Sequence, residues 1–277
     1  MHEPRLSRSA VAGVTFWSDE VLTSRTGIVI AFSERVGGVS EPPYASLNLA
    51  AHVGDDAQAV DENRSRLLSA LGLPGLRDSL TCAEQIHGGH VELVTAAEAG
   101  SGAWATGSRA PVAGTDALLT METGVPLMLF FADCVPVVLA GFGRSGRGVG
   151  VVHAGWRGAL AGLPGSAARS LASALGTDCS QIVAYIGPHV CPTHYPVGEE
   201  ILSQFEARFG TVSRACSGGL DLKAAVSTSL AEAGVPMSAQ CCLDACTAEH
   251  TDRFYSYRAE HQTGRHGALA AVLRHGA

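Results

Sequence analysis

The sequence predicts an α+β fold, a single domain with central mixed or antiparallel strands flanked by helices. Three observations carry that expectation. Strand-like apolar runs crowd together between residues 116 and 156, and helix-like patterns lie mostly before and after them rather than in regular alternation with them. Of the 277 residues 46% are hydrophobic and only 16% charged, which favours a sizeable buried core over disorder. No internal repeat or linker breaks the chain, so residues 1–277 read as one domain, with 1–13 as a loose tail.

In order along the chain, GIVIAFSERVGGVS (27–40) reads as a strand ending in a polar, glycine-rich loop. Asp55 and Asp56 offer an N-cap to a helix over 57–71 whose apolar face is Val60, Leu67, Leu68 and Leu71, with Gly72 closing it. VELVTA (91–96) reads as a strand and 99–114 as a surface loop. The central block follows: DALLTM (116–121), PLMLFF (126–131), PVVLAGF (136–142) and GVGVVHAGW (148–156). Gly141, Gly143, Gly146 and Gly148 mark a turn between the last two runs. Helices are expected at 166–175, 199–209 and 222–233, and a strand at 182–188. DRFYSYR (252–258) and GALAAVLR (267–274) close the fold.

The bulk properties narrow the function. A formal net charge of −7 argues against nucleic acid as the main partner. The run Val125–Phe142 nears the length of a membrane span, but Asp133 and Pro136 make two buried strands the better reading. The first residues contain no apolar core of signal-peptide length, so a cytoplasmic protein with reduced thiols is expected.

The chemistry concentrates at His87, Cys134 and His153. Each lies in a short apolar or glycine-rich segment: EQIHGG (84–89), FFADCVP (130–136) and VVHAGWRG (151–158). A hairpin between the last two central strands puts Cys134 and His153 at the same end. Two imidazoles and a thiolate make a three-ligand zinc site with one position open for water or substrate. The same residues also make a metal-free Cys/His nucleophile, with His87 or Asp133 orienting the base. His₂Cys suits copper too. None of the 11 histidines forms a His-x-His pair, however, which makes multicopper phenol oxidation a poor physical fit. Arg35 and Arg157 follow apolar strands beside glycines, where a guanidinium can clamp phosphate or carboxylate. Cys241, Cys242 and Cys246, and Cys191 with His194, fit no paired Cys-x-x-Cys arrangement and read as ordinary buried thiols.

From residue 28 to the C-terminus the chain resembles a known family. The matching segments include FSERVGGVSEPPYASLNLAAHVGDD (32–56), EQIHGGHV (84–91), GTDALLT (114–120), ADCVPVVL (132–139), VVHAGWRG (151–158), IGP (186–188), YPVGEE (195–200) and FYSYR (254–258). They are similar to the laccase-domain proteins, once named multicopper polyphenol oxidases and now described as purine nucleoside phosphorylases and adenosine deaminases. The peptidoglycan editing factor is in the same group. The resemblance implies an α+β domain shared with cysteine-hydrolase-like toxins. It also implies zinc on His87, Cys134 and His153, which are then the catalytic residues as well. The implied reactions are phosphorolysis of adenosine, inosine, guanosine or methylthioadenosine and deamination of adenosine. Substrate contacts are expected from Arg35, Asn48, Gln85 and Arg157, the partners being purine nucleosides and phosphate, with no nucleic acid and no membrane. A monomer or homodimer is expected. The alternatives are a hydrolase that uses Cys134 to edit a cell-wall precursor and the polyphenol oxidation of the family's older name. After IGP the run HVCPTH (189–194) departs from the family pattern and puts His189 and His194 near the expected site.

Overall fold

The computed structural model describes residues 2–274; Met1 and 275–277, at the two ends of the expected domain, lie outside the described residues. Its strands are β1 (Ser7–Val11), β2 (Val14–Ser18), β3 (Ile28–Ser33), β4 (Thr81–Cys82), β5 (Val91–Leu93), β6 (Ala117–Thr120), β7 (Leu127–Phe131), β8 (Val135–Gly143), β9 (Gly146–Ala154), β10 (Ile182–Ile186), β11 (Gln240–Cys242) and β12 (His266–Val272). Its helices are α1 (Glu20–Thr26), α2 (Ala57–Ala70), α3 (Trp156–Leu160), α4 (Leu163–Leu175), α5 (Glu199–Phe209), α6 (Leu222–Glu232) and α7 (Tyr257–Glu260).

Two six-stranded mixed sheets, ordered β1-β2-β3-β12-β7-β4 and β11-β10-β8-β9-β6-β5, form an α+β arrangement. Side-chain alternation decides what each face meets. Along β7, Leu127, Leu129 and Phe131 enter the apolar layer between the sheets, which also holds Val138, Ala140, Val149 and Val151 from β8 and β9. Met128 and Phe130, of opposite parity, pack with Leu67 and Leu68 of α2. On the second sheet Val135, Val137, Leu139 and Val152 face Leu163, Ala167, Leu171, Val226 and Leu230 of α4 and α6. The layers therefore run helix, sheet, sheet, helices. Strands buried on both faces explain why the central runs are almost continuously apolar.

Local signals set the helix ends. The Asp56 carboxylate accepts from the backbone of Gln58 and Ala59 at the start of α2. Asp55, the other candidate cap, accepts instead from Ser40 and Asn48. α4 ends on Gly176 at φ 64°, a conformation that suits glycine.

Two sequence expectations need correcting. The loose tail contains β1, paired antiparallel with β2 through a turn at Ala12–Gly13. Arg8 of β1 reaches the fully buried carboxylate of Glu34, which Arg253 and Trp17 also engage. Burial opposes charge on Glu34, but the hydrogen bonds from Arg8, Arg253 and Trp17 win and hold it down to about 2. The 99–114 loop is also not wholly at the surface. Gly100–Ala103 are buried, and the carbonyls of Gly102 and Ala103 accept from Arg64 and Arg77. The consecutive strands β7 and β8 belong to different sheets, so residues 132–134 form a crossover between layers. No helix of the described residues is long and apolar enough to cross a membrane.

Candidate metal centre

The β8–β9 hairpin forms in the expected register, with Pro136 opposite His153 and Val135 opposite Ala154. Cys134 stands just before β8 and His153 is the penultimate residue of β9. By parity with Val138 and Val151 both side chains face the seam between the sheets, at its open end.

The crossover that presents Cys134 is tightly built. Asp133 sits at φ 92°, and its carboxylate accepts from the Thr247 hydroxyl (2.6 Å), the Ser256 hydroxyl (2.7 Å) and the Arg258 backbone N–H (2.7 Å). These bonds hold the carboxylate among Thr247, Ser256 and Arg258, so Asp133 does not contact His153, contrary to the sequence expectation. Asp116 does. It lies immediately before β6, is fully buried, and accepts from His153 Nδ1 at 2.8 Å. That bond leaves Nε2 for the site. Asp116 also accepts from the backbone N–H groups of His87 (3.0 Å) and Gly88 (2.6 Å), so one carboxylate fixes two of the three donors.

The donor atoms of His87, Cys134 and His153 all lie within 4.8 Å of one another. The two imidazoles meet edge to face with centroids 4.8 Å apart. Gly155 keeps the space open: a Cβ there would stand 3.0 Å from His87 and 3.3 Å from Cys134 Sγ. Electrostatics favour a charged pair. Burial pushes the Cys134 thiol up, but the charge and hydrogen bond of His153 and the hydrogen bond of His87 outweigh it and hold the thiol well below its usual range. Burial pushes His153 down, and Cys134 and Asp116 together raise it above the ordinary imidazole range.

This donor set fits a divalent transition metal. A thiolate and two imidazoles match zinc-type ligation, and the carboxylate behind His153 is the partner such a histidine commonly has. Three protein donors leave a further position open. That position faces a cavity of about 620 Å³. Arg157, Arg258 and Arg265 contribute to its wall, together with the rings of Phe130, Trp156, Tyr195 and Tyr257. Five described non-glycine residues have positive φ, and four of them, Gln85, His87, Asp133 and His261, line this cavity. Such a concentration of unfavourable backbone marks a functional site.

The other sequence-selected residues divide. Arg157 lines the cavity, its guanidinium carbon 4.3 Å from the Trp156 ring. Gln85 also lines it, but its amide donates to the Phe130 carbonyl (2.8 Å) and accepts from the Phe130 N–H (2.9 Å). Arg35 does not line the cavity. Its guanidinium donates to the carbonyls of Ala45 and Thr251 and to Glu260, stacked on Tyr255, away from the cavity wall. Asn48 is likewise fully buried outside the cavity, where its Oδ1 accepts from the backbone N–H of Arg265 and so positions a wall residue. His189 and His194 do not line the cavity either. Asp116, Arg258 and Arg265 are the residues sequence reasoning missed, although all three fall in or beside segments it singled out. Cys191 and Cys246, read from the sequence as ordinary thiols, have sulfurs that gather with His194 and Glu249.

The fold and the centre thus define a two-sheet α+β protein with a His₂Cys donor set at the mouth of an arginine-rimmed cavity. Residues 29–273 match the family model described as multi-copper polyphenol oxidoreductase laccase, and the chain belongs to that family. It is 37% identical over 244 residues to a purine nucleoside phosphorylase of Corynebacterium glutamicum, covering 86% of this chain and 92% of the relative. It is 36% identical over 244 residues to the purine nucleoside phosphorylase YlmD of Geobacillus stearothermophilus, covering 86% and 87%. The crystal structure of YlmD from that organism superposes with a TM-score of 0.85 at 34% identity, covering 98% of this chain and all of the other.

Proposed function

We propose that this chain is a zinc-dependent purine nucleoside phosphorylase working at the His87–Cys134–His153 centre. The observation that carries the reading is the open face of the three donors onto a cavity walled by guanidinium groups and aromatic rings. Guanidinium groups suit phosphate, and flat rings suit a purine base. The names of the relatives point the same way.

Arg157 and Arg258 bind the attacking phosphate, and half-buried Arg265 adds positive potential to the cavity wall. Phe130, Tyr195 and Tyr257 offer surfaces for the base and exclude water. Phosphate oxygen attacks the ribose C1′ as the glycosidic bond breaks, and the purine leaves with the bonding pair and takes up a proton. Holding both reactants in one enclosure supplies much of the rate. A bound divalent metal supplies Lewis acidity at the open position. Inosine, guanosine, adenosine and methylthioadenosine are the proposed substrates, and deamination of adenosine is a second proposed activity of the same cavity. The test is incubation of metal-replete protein with inosine, with and without phosphate. Phosphate-dependent hypoxanthine release that disappears in Cys134→Ala supports the reading; no release from metal-replete protein removes it.

One observation favours a second reading. Cys134, His153 and Asp116 also have the order of a nucleophile, a base and an orienting carboxylate. A hydrolase of that kind, editing L-serine from a cell-wall precursor, has no chemical need for His87. Serine release that survives His87→Ala and chelation would establish it over the metal reading.

A further inference from the structure

Cys191, His194, Cys246 and Glu249 lie outside the cavity wall, and their four potential ligand atoms are within 4.8 Å of one another. They come from two short turns, each carrying a pair at the same spacing: Cys191-x-x-His194 and Cys246-x-x-Glu249. Parallel bridging of His189 to Cys246, with the Thr247 N–H donating to the His189 carbonyl at 3.0 Å, joins the turns just before the cluster. Paired donors on short turns are how structural zinc sites are commonly built.

The distances decide between a metal site and a hydrogen-bonded knot. His194 Nδ1 stands 3.3 Å from Cys191 Sγ, 3.8 Å from Cys246 Sγ and 3.4 Å from Glu249 Oε1. Cys191 Sγ stands 3.5 Å from the same carboxylate oxygen. Zn–N near ~2.1 Å and Zn–S near ~2.3 Å give a tetrahedron with edges of about 3.4–3.8 Å. The four separations are therefore tetrahedral edges to within a few tenths of an ångström. A hydrogen-bonded knot fits poorly, because one ring nitrogen carries one proton or one lone pair and here faces three heteroatoms. The Cys191 N–H also stands 3.2 Å from Cys246 Sγ, which ties the two turns together at the cluster.

We propose that these four side chains form a second metal centre, a closed S₂NO site for a zinc-type divalent cation, separate from the His87–Cys134–His153 centre. Two sulfurs select a borderline-soft ion over magnesium or calcium. Four protein donors fill a tetrahedron, so the site is structural. Its neighbours say what it holds. Val190 and Tyr195, on either side of Cys191 and His194, line the cavity. Thr247, next to Cys246, bonds to Asp133 beside Cys134. The ion pins two turns that form one wall of the reaction chamber.

The test is metal analysis of the full chain purified with zinc under reducing, chelator-free conditions. The expected content is two zinc ions per chain, falling to one in Cys134→Ala and one in Cys191→Ser. Cobalt(II) titration of Cys134→Ala leaves the second cluster intact and needs no variant of it. Saturation at one equivalent, with intense tetrahedral d–d bands and near-ultraviolet sulfur-to-cobalt absorption, is the expected result. Metal retained in Cys134→Ala supports this centre even if the first proves metal-free. Overturning results are the absence of cobalt–thiolate absorption in Cys134→Ala, with Cys191 and Cys246 titrating as free thiols or found as a disulfide.

Discussion

The two donor clusters use the same chemistry in opposite settings. His87, Cys134 and His153 stand at the end of the sheet seam, with Asp116 behind two of them, and face a cavity of about 620 Å³. Cys191, His194, Cys246 and Glu249 stand on surface turns and face one another, with His194 and Glu249 each more than 40% exposed. The first set is a donor short of a tetrahedron and lines a cavity; the second has four donors and lines none. Ligand type alone says little about role. The count of donors and what the remaining direction faces say much more.

That contrast breaks most decisively by removing a sulfur from each cluster. Cys134→Ala is expected to lower phosphorolysis on the order of 10³-fold, the scale of losing a principal electrostatic element of a site. Cys191→Ser is expected to leave kcat within about twofold while lowering the melting temperature by roughly 5 °C, as loss of a stabilising ion does. Steady-state kinetics and calorimetry on both variants check the pair; equal loss of activity in the two would erase the distinction. Next comes the carboxylate that only the first centre has. Asp116→Asn is expected to weaken metal binding there by about 10–100-fold with the Cys191 centre still loaded, measured by competition with a chromogenic chelator. A smaller effect separates the cavity wall from the donors: Arg258→Ala is expected to raise KM for phosphate by roughly 10-fold with little change in metal content.

The smallest effect concerns what lies behind the first centre. His266 is fully buried between Phe131 and Phe254, and neither ring nitrogen has a hydrogen-bond partner among the described residues. Burial, then the charge of Arg265, pushes it down to about 3. An unfolded histidine titrates near ~6.5, so between these values the unfolded chain binds the extra proton. This contribution to stability is intact above about pH 6.5 and falls by about 1.4 kcal/mol per pH unit as the pH drops towards 3. His266→Phe keeps the ring stack and is expected to flatten that slope. Denaturant melts at pH 7 and pH 5 check it; parallel slopes in the two proteins would show that His266 is not the group responsible.

What the sequence disclosed, and what it hid, follows the range of the interactions involved. The central strands were legible because residues buried on both faces leave apolar runs. The Cys134–His153 pairing was legible because a glycine-rich turn dictates hairpin register. The division of β7 and β8 between two sheets was not, since a three-residue crossover looks like a turn within one sheet. β1 was hidden because SRSAV is largely exposed and lacks an apolar face. That Arg35 and Asn48 stand off the cavity wall was hidden because a polar side chain after a strand reads the same whether it meets a ligand or the chain's own backbone. Each half of the second cluster carries only two donors, more than 50 residues apart in sequence, so neither half stands out without the fold that joins them.

The most direct test of the central claim is phosphate-dependent cleavage of inosine by metal-replete protein, run beside His87→Ala, Cys134→Ala and His153→Ala. The account predicts hypoxanthine and ribose 1-phosphate in equal amounts from the native chain, and loss of both the activity and one metal equivalent in every variant. Full phosphorolysis by any variant that has lost that metal would contradict it.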